Sequence, residues 1–577
     1  MGDIFKVEEN RSHEKVVPLS EAIARSVKPA MKLHINIGAN ANAALREIIR
    51  QYRGKRPEFT LISSGVTTPD LINLIASGLV KKVITTNCSY LYPAPRPIPV
   101  LQKMHREGFI QIESWSLYSL EQRLMAAALG VGLMPTQSLI GSSLADENDD
   151  AFKVILNPFD EKERIGIVKS LAPDISIIHG CVADGEGNTI LAPPYFASIW
   201  GPRASKGGVI VTVEKIVPTE FIRKHSTLVK IPGYLVKYVC PVTLGAHPQG
   251  LAAESIGVVE GYGEDYQFLL NFVEASQDST RIKEWIEEWI IECPTQEYYL
   301  RKLGSDRITF LREKSDETSG RKLESGSPSS FNPAEMMIVA AAREIKKIVA
   351  LRNYQTVLSG IGAPGLAAWL AFYLLKNEDH HIDLITGTGQ VGFAPRPGDP
   401  FLMSLSNVMA CKILTDSIEL YGTFVGGANN RCLSVLGTAQ IDQYGNLNTV
   451  KMGDLYFIGV GGAGDAISAC ETLAVARQSR ERFLERVDFV GCPGQSIKTL
   501  VTDLGVFQKL EGEETFTVTK YFAHPSVLGK EDRLREIKER CGWDLKVGEV
   551  LEEVLPPTSE ELSILRSLDP ERFFIGK

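Results

Sequence analysis

Short, continuously apolar runs alternate along this chain with segments of helical spacing, and most of the runs end in glycine or a small polar residue. In the first half the pattern predicts strands over Met31–Ile37, Phe59–Ser64, Val83–Thr86 and Gly208–Glu214, with helices over Ala43–Tyr52 and Pro69–Gly78. The second half repeats it: strands over Gln355–Ser359, Asp383–Thr386 and Asp488–Val490, and a helix over Pro364–Lys376. Runs that are apolar throughout belong to strands buried on both faces, which are mostly parallel. The fold class expected is therefore α/β, two related open α/β domains packed face to face. In such sheets ligands bind beyond the carboxyl ends of the strands, where the glycine loops lie.

One motif occurs twice. Asp174-Ile-Ser-Ile-Ile-His-Gly-Cys-Val-Ala leads into Asp184-Gly-Glu-Gly187-Asn188, and Leu433-Ser-Val-Leu-Gly-Thr-Ala-Gln-Ile leads into Asp442-Gln-Tyr-Gly445-Asn446. The two aspartates are 258 residues apart, which implies two related halves with a site where they meet. Between them lies Lys314–Ser330, polar and without apolar periodicity, expected to be a solvated tether. The division expected is 1–313, a 314–330 linker and 331–577. Asn332 is placed to cap the next helix, with Pro333 at its first position.

Composition narrows the function. A 577-residue chain exceeds one ordinary core, and 44% hydrophobic with 23% charged residues is the balance of a globular protein. A net charge of −8 and the lack of a basic, aromatic-interleaved stripe argue against nucleic acid. No run is long enough for a membrane span, and residues 1–30 are too charged for a signal peptide. Nine cysteines without a C-x-x-C pair fit a reducing, cytoplasmic setting. No metal, flavin or nicotinamide requirement is expected.

Several ordered motifs carry a family resemblance. The first half has Pro173–His179, Ala183–Asn188, Val209–Val217, Ile231-Pro-Gly233 and Gly245-Ala-His-Pro248. The second has Gly437–Asn448, Gly459-Val-Gly-Gly-Ala-Gly-Asp465, Arg482–Asp488 and Pro556–Leu562. The chain resembles a family I CoA-transferase of the glutaconate CoA-transferase type, with α and β subunits fused in that order. The resemblance implies an acyl-CoA substrate, dicarboxylic acyl groups, and no cofactor beyond the coenzyme A of the substrate. It also implies a covalent route: in the family a glutamate, followed one residue later by glycine, attacks the acyl-CoA and carries CoA as a thioester.

Here the matching segment reads Thr386-Gly387-Thr388-Gly389, and Gly387 stands at the glutamate position. Glycine has no nucleophile, and Thr388 is expected on the opposite strand face. Hydrolysis or decarboxylation of a CoA thioester, without covalent glutamate, is therefore expected ahead of CoA transfer between acids. A non-catalytic acyl-CoA binder is the reading from another class. The partner expected is an acyl-CoA substrate, with neither nucleic acid nor membrane; a homo-oligomer is compatible with the sequence, which does not fix it.

The site candidates follow. Gly461 and Gly462 offer backbone N–H groups for an oxyanion or phosphate, or merely turn a strand into a helix. Gly426 and Gly427 would form a flexible loop admitting the pantetheine arm. Gly38 and Asn40 follow the first strand, and in the family this loop approaches the substrate; Ser63 and Ser64 follow the second strand. Gly387 and Thr388 complete the binding set. Glu113 is a candidate general base or an ion-pair partner, and Gln440 a candidate on the site side of its turn. Arg123 and Arg396 are candidate carboxylate clamps. His179, Asp184, Asp442 and Cys411 read as structural, Cys411 in a buried helix.

Overall fold

A computed structural model of the chain describes residues 15–253, 256–315, 330–523 and 529–576. Most of the expected tether lies outside the described residues. Lys314 does not belong to it: it sits on a helix, Ser305–Ser315, with its ammonium 3.9 Å from the Tyr266 ring centroid.

Each half is built on its own sheet. In the first, Gln111–Ser114, Val80–Thr85, Phe59–Ile62, Lys32–Ile35, Ile175–Ala183, Val209–Ile216 and Val236–Pro241 run side by side and parallel. The second is mixed and longer. Its parallel part is ordered Asp383–Thr386, Thr356–Ser359, Cys432–Gly437, Glu471–Val475, Ile497–Val501. Counted from Phe59–Ile62 in the first sheet and Asp383–Thr386 in the second, five consecutive strands share one order. The duplicated sequence is thus a duplicated topology.

The repeated Asp…Asn motif does the same job in both halves. Asp184 Oδ1 accepts from the N–H groups of Glu186 (3.1 Å) and Asn188 (2.9 Å), and Asp442 Oδ1 from those of Tyr444 (3.0 Å) and Asn446 (2.9 Å). Each asparagine then accepts from a distant glycine N–H: Asn188 from Gly233 (2.8 Å), Asn446 from Gly494 (2.9 Å). Gly233 and Gly494 each open a short 3₁₀ turn that feeds the parallel strand Val236–Pro241 or Ile497–Val501. The short acidic side chain satisfies a turn that would otherwise leave donors unpaired.

The halves share one apolar core, which draws Ile35, Leu61 and Ile177 from the first sheet and Leu358, Ile385 and Leu436 from the second. Polar stitches reinforce it. Asp465 accepts from Tyr118 N–H (2.8 Å) and Ser138 Oγ (2.5 Å), Cys88 N–H donates to Ile458 O (2.7 Å), and Ser143 N–H to Val490 O (2.8 Å). The Asn332 cap forms as expected: Asn332 Oδ1 accepts from Glu335 N–H while Glu335 Oε2 accepts from Asn332 N–H, opening the helix Pro333–Arg352.

Three expectations are corrected. Asp488–Val490 is irregular, not a strand. The 387–389 segment is a turn between the antiparallel strands Asp383–Thr386 and Gln390–Phe393, so Thr388 is not on an extended strand at all. The glycine-rich stretch from Gly422 is not a flexible loop at its start, because Leu420–Val425 forms a π-helical turn.

Candidate active site

A cavity of about 490 Å³ opens between the halves. Ser64 and Thr86 line it from strand ends of the first sheet, and Gly387, Thr388, Tyr421, Gly461 and Gly462 from the second half. A smaller chamber of about 130 Å³ shares the walls Thr67, Leu91, Phe196, Thr388 and Met403 with it and continues into the first half. Both lie at the carboxyl ends of parallel strands, where the layer architecture puts ligands.

The central feature is Tyr421. The π-helical turn points its ring into the cavity, with its hydroxyl against Gly387 and Gly462. A β-carbon added to either glycine would overlap that hydroxyl. Neither glycine has a left-handed φ, so the obstruction is the phenol and not the backbone. Burial, then the charge of Asp465, raises the Tyr421 pKa well above its ordinary value. The phenol is therefore a neutral hydrogen-bond donor at physiological pH.

The second feature is a buried pair. Ser64 Oγ donates to Glu121 Oε1 at 2.8 Å, and Glu121 Oε2 is buried with no hydrogen-bond partner. Burial pushes the Glu121 carboxyl up to about 8; the Ser64 hydrogen bond opposes this, and the charge of Asp416 adds to it. Ser64 faces the cavity while Glu121 stands behind it. A carboxyl titrating near neutrality, linked by one hydroxyl to a cavity wall, is suited to taking a proton there.

Among the cavity-lining residues described there is no Asp, Glu, Cys, His or Lys; Arg482, exposed at its edge, is the one charged side chain. No group of three or more His, Cys, Asp and Glu side chains among the described residues has metal-holding geometry.

The candidates from the sequence divide. Gly387, Thr388, Gly461, Gly462 and Ser64 line the larger cavity, and Gly38 and Asn40 the smaller chamber. Gly461 is placed as expected, but its N–H donates to Thr86 O (3.0 Å), as those of Gly459 and Ala463 donate to other carbonyls. These three groups hold the loop and are not available to an oxyanion; Gly462, whose N–H is not among them, keeps its expected place on the cavity wall. Ser63 turns inward, its hydroxyl donating to Gly65 O (3.3 Å). Gly426 and Gly427 line neither cavity, because the π-helical turn packs them against Ser468 and the backbone of Thr423.

The two catalytic candidates are not in the site. Glu113 lines neither cavity and is held by Lys82 (2.6 Å), Arg123 (3.0 Å) and the Trp115 indole N–H (2.7 Å), which keep its carboxyl ionised despite burial. Gln440 uses its amide internally: Nε2 donates to Glu481 O (3.2 Å) and Oε1 accepts from Asn448 (2.9 Å). Arg123 is thereby committed to Glu113 and Lys169 O, and Arg396 lines neither cavity. His179 is a core histidine between Thr212 and Glu214. Cys411 is half-buried beyond the end of the short helix Leu405–Val408.

Tyr421 and Glu121 were not singled out in the sequence. Glu121 carried a signal: Leu117, Leu120 and Leu124 form the buried stripe of the helix Leu117–Ala128, and Glu121 sits within that stripe. Tyr421 carried none, since its direction depends on the π-helical turn.

Comparison with known proteins agrees with this geometry. A family model described as Coenzyme A transferase matches residues 16–241. One of the glutaconate CoA-transferase subunits of Acidaminococcus fermentans is 30% identical over 321 residues, covering 52% of this chain and 94% of that protein. One of the 3-oxoadipate CoA-transferase subunits of Pseudomonas knackmussii is 31% identical over 267 residues, covering 42% of this chain and 94% of that one. An acyl-CoA transferase of E. coli O157:H7, solved as a thioester complex with CoA, superposes with a TM-score of 0.65 at 16% identity, over 95% of this chain and 97% of that one. This chain belongs to the CoA-transferase family, with both subunit-like halves in one polypeptide.

Proposed function

We propose that this chain hydrolyses CoA thioesters in the cavity between its halves, without a covalent enzyme–CoA intermediate. The observation that carries this is the Tyr421 hydroxyl lying against Gly387, where the family's glutamate would extend. The position has no nucleophile, and a side chain there would have to displace the Tyr421 phenol.

The thioester carbonyl oxygen takes a hydrogen bond from Tyr421, which stabilises the negative charge that develops there on attack. Water adds to the carbonyl carbon. Its proton passes to Ser64 Oγ as the Ser64 proton passes to ionised Glu121. The tetrahedral intermediate collapses, the C–S bond breaks, and the leaving CoA thiolate takes the proton held by Glu121, passed back through Ser64, which leaves Glu121 ionised for the next turnover. Arg482 at the cavity edge is suited to a CoA phosphate oxygen. No group beyond the coenzyme A of the substrate takes part.

Thiol release from acyl-CoAs tests the reading. Release without any added carboxylic acid is expected. Release that starts only when an acceptor acid is supplied would mean CoA transfer, and a melting shift with CoA but no thiol would mean a binder.

A further inference from the structure

The smaller chamber has a wall chemistry of its own. Tyr92, Phe196, Phe272, Phe401 and Met403 make it chiefly apolar. Tyr92 is fixed by stacking on Tyr266 at 4.2 Å and by the edge of Phe401 at 5.7 Å. Its volume, about 130 Å³, is close to that of a cavity of about 150 Å³ that takes one benzene.

Among the described residues no Arg, Lys or His lines the chamber. The one carboxyl there, Glu264, is pushed up to about 7 by burial and by the charge of Asp399, so any charge it carries is negative. An acyl group bearing a second carboxylate would find no cation among the lining residues. This differs from the dicarboxylic acyl groups that the family resemblance implies.

Two polar groups on the wall are left without partners. Both amide atoms of Gln390, a fully buried residue, have no hydrogen bond, and Asn40 Oδ1 is likewise buried and unpaired. Buried amides are rarely left so. A ligand hydroxyl has the chemistry for these groups, donating to an amide oxygen such as Asn40 Oδ1 and accepting from an amide NH2 such as Gln390 Nε2.

We propose that the chamber receives an uncharged, short acyl group with an apolar body and one hydroxyl. This rests on the CoA-thioester reading above. It also favours hydrolysis over decarboxylation, since such a group has no carboxylate to lose.

The test compares four-carbon thioesters on the full chain: 3-hydroxybutyryl-CoA, butyryl-CoA and succinyl-CoA, with free CoA as the binding control. In thiol release, kcat/KM is expected to be at least about 10-fold higher for 3-hydroxybutyryl than for butyryl and at least about 100-fold higher than for succinyl. Gln390→Met, checked for an unchanged melting curve, is expected to shrink the hydroxyl preference several-fold. Succinyl-CoA turned over best, or hydroxyl and plain chains turned over alike, overturns the inference while leaving thioester hydrolysis standing. Free CoA and all three thioesters failing to bind overturns the proposed function itself.

Discussion

The Tyr421 hydroxyl rests against Gly387 and Gly462 so closely that a β-carbon on either glycine would collide with it. The absence of a side chain at Gly387 and the presence of the phenol are therefore one arrangement. Gly387→Glu is expected to give no CoA-transferase activity and to cost about 1–3 kcal/mol through overpacking. Gly387→Glu combined with Tyr421→Ala is expected to be more stable than the sum of the single changes allows, because the second removes the clash made by the first. Chemical denaturation of the two single variants and the double variant measures this coupling; additive effects would show that the two residues do not oppose each other.

Tyr421→Phe removes only the donor. A drop in kcat/KM for thiol release of about 10²–10³-fold is expected, the usual effect of losing one oxyanion donor. The melting temperature is expected to stay within about 4 °C. An active Tyr421→Phe enzyme would remove the phenol from the chemistry.

Glu121 makes both activity and stability depend on pH. The proposed base is the ionised form, and burial raises its pKa to about 8. kcat/KM is expected to climb from pH 6 and level off above about 8. Stability runs the other way. A carboxyl whose pKa is higher folded than unfolded favours the folded state below its ordinary value, 4.5, and loses that contribution as the pH rises through about 8. Glu121→Gln is therefore expected to abolish the pH-dependent rise in rate and to melt higher than the parent at pH 9, with the advantage vanishing near pH 5. Melting curves across that range check the sign.

The shared core is expected to hold the halves together without the segment that joins them. Ile35 and Leu61 pack in one cluster with Leu358 and Ile385, and Asp465 is stitched to Tyr118 and Ser138 across the interface. A single proteolytic cut within 316–329 is expected to leave the halves co-eluting and active. Separation and unfolding after such a cut would contradict a shared core.

The sheets were legible because parallel buried strands write themselves as unbroken apolar runs. Phe59–Ile62, Thr356–Ser359 and Asp383–Thr386 fall within or upon their expected spans. The repeat was legible because one Asp…Asn turn solves the same donor problem twice. Asp488–Val490 misled because three apolar-flanked residues do not make a strand without a partner in register. In the site, the glycines were readable as close-approach positions, but what approaches them was not. Tyr421 reaches Gly387 only because Leu420–Val425 winds as a π-helical turn, which no local periodicity announces. Glu113 read as a general base or an ion-pair partner from its strand end; its partners Lys82 and Arg123, far apart in sequence, make it an ion-pair hub.

The most direct measurement is the intact mass of the protein during turnover of an acyl-CoA, with hydroxylamine or borohydride trapping in parallel. Mass unchanged while free thiol accumulates is expected, since Gly387 offers no carboxylate and the Tyr421 hydroxyl lies against it. A protein-bound CoA thioester, or a trapped carboxyl adduct, would contradict direct hydrolysis and restore the covalent transfer route.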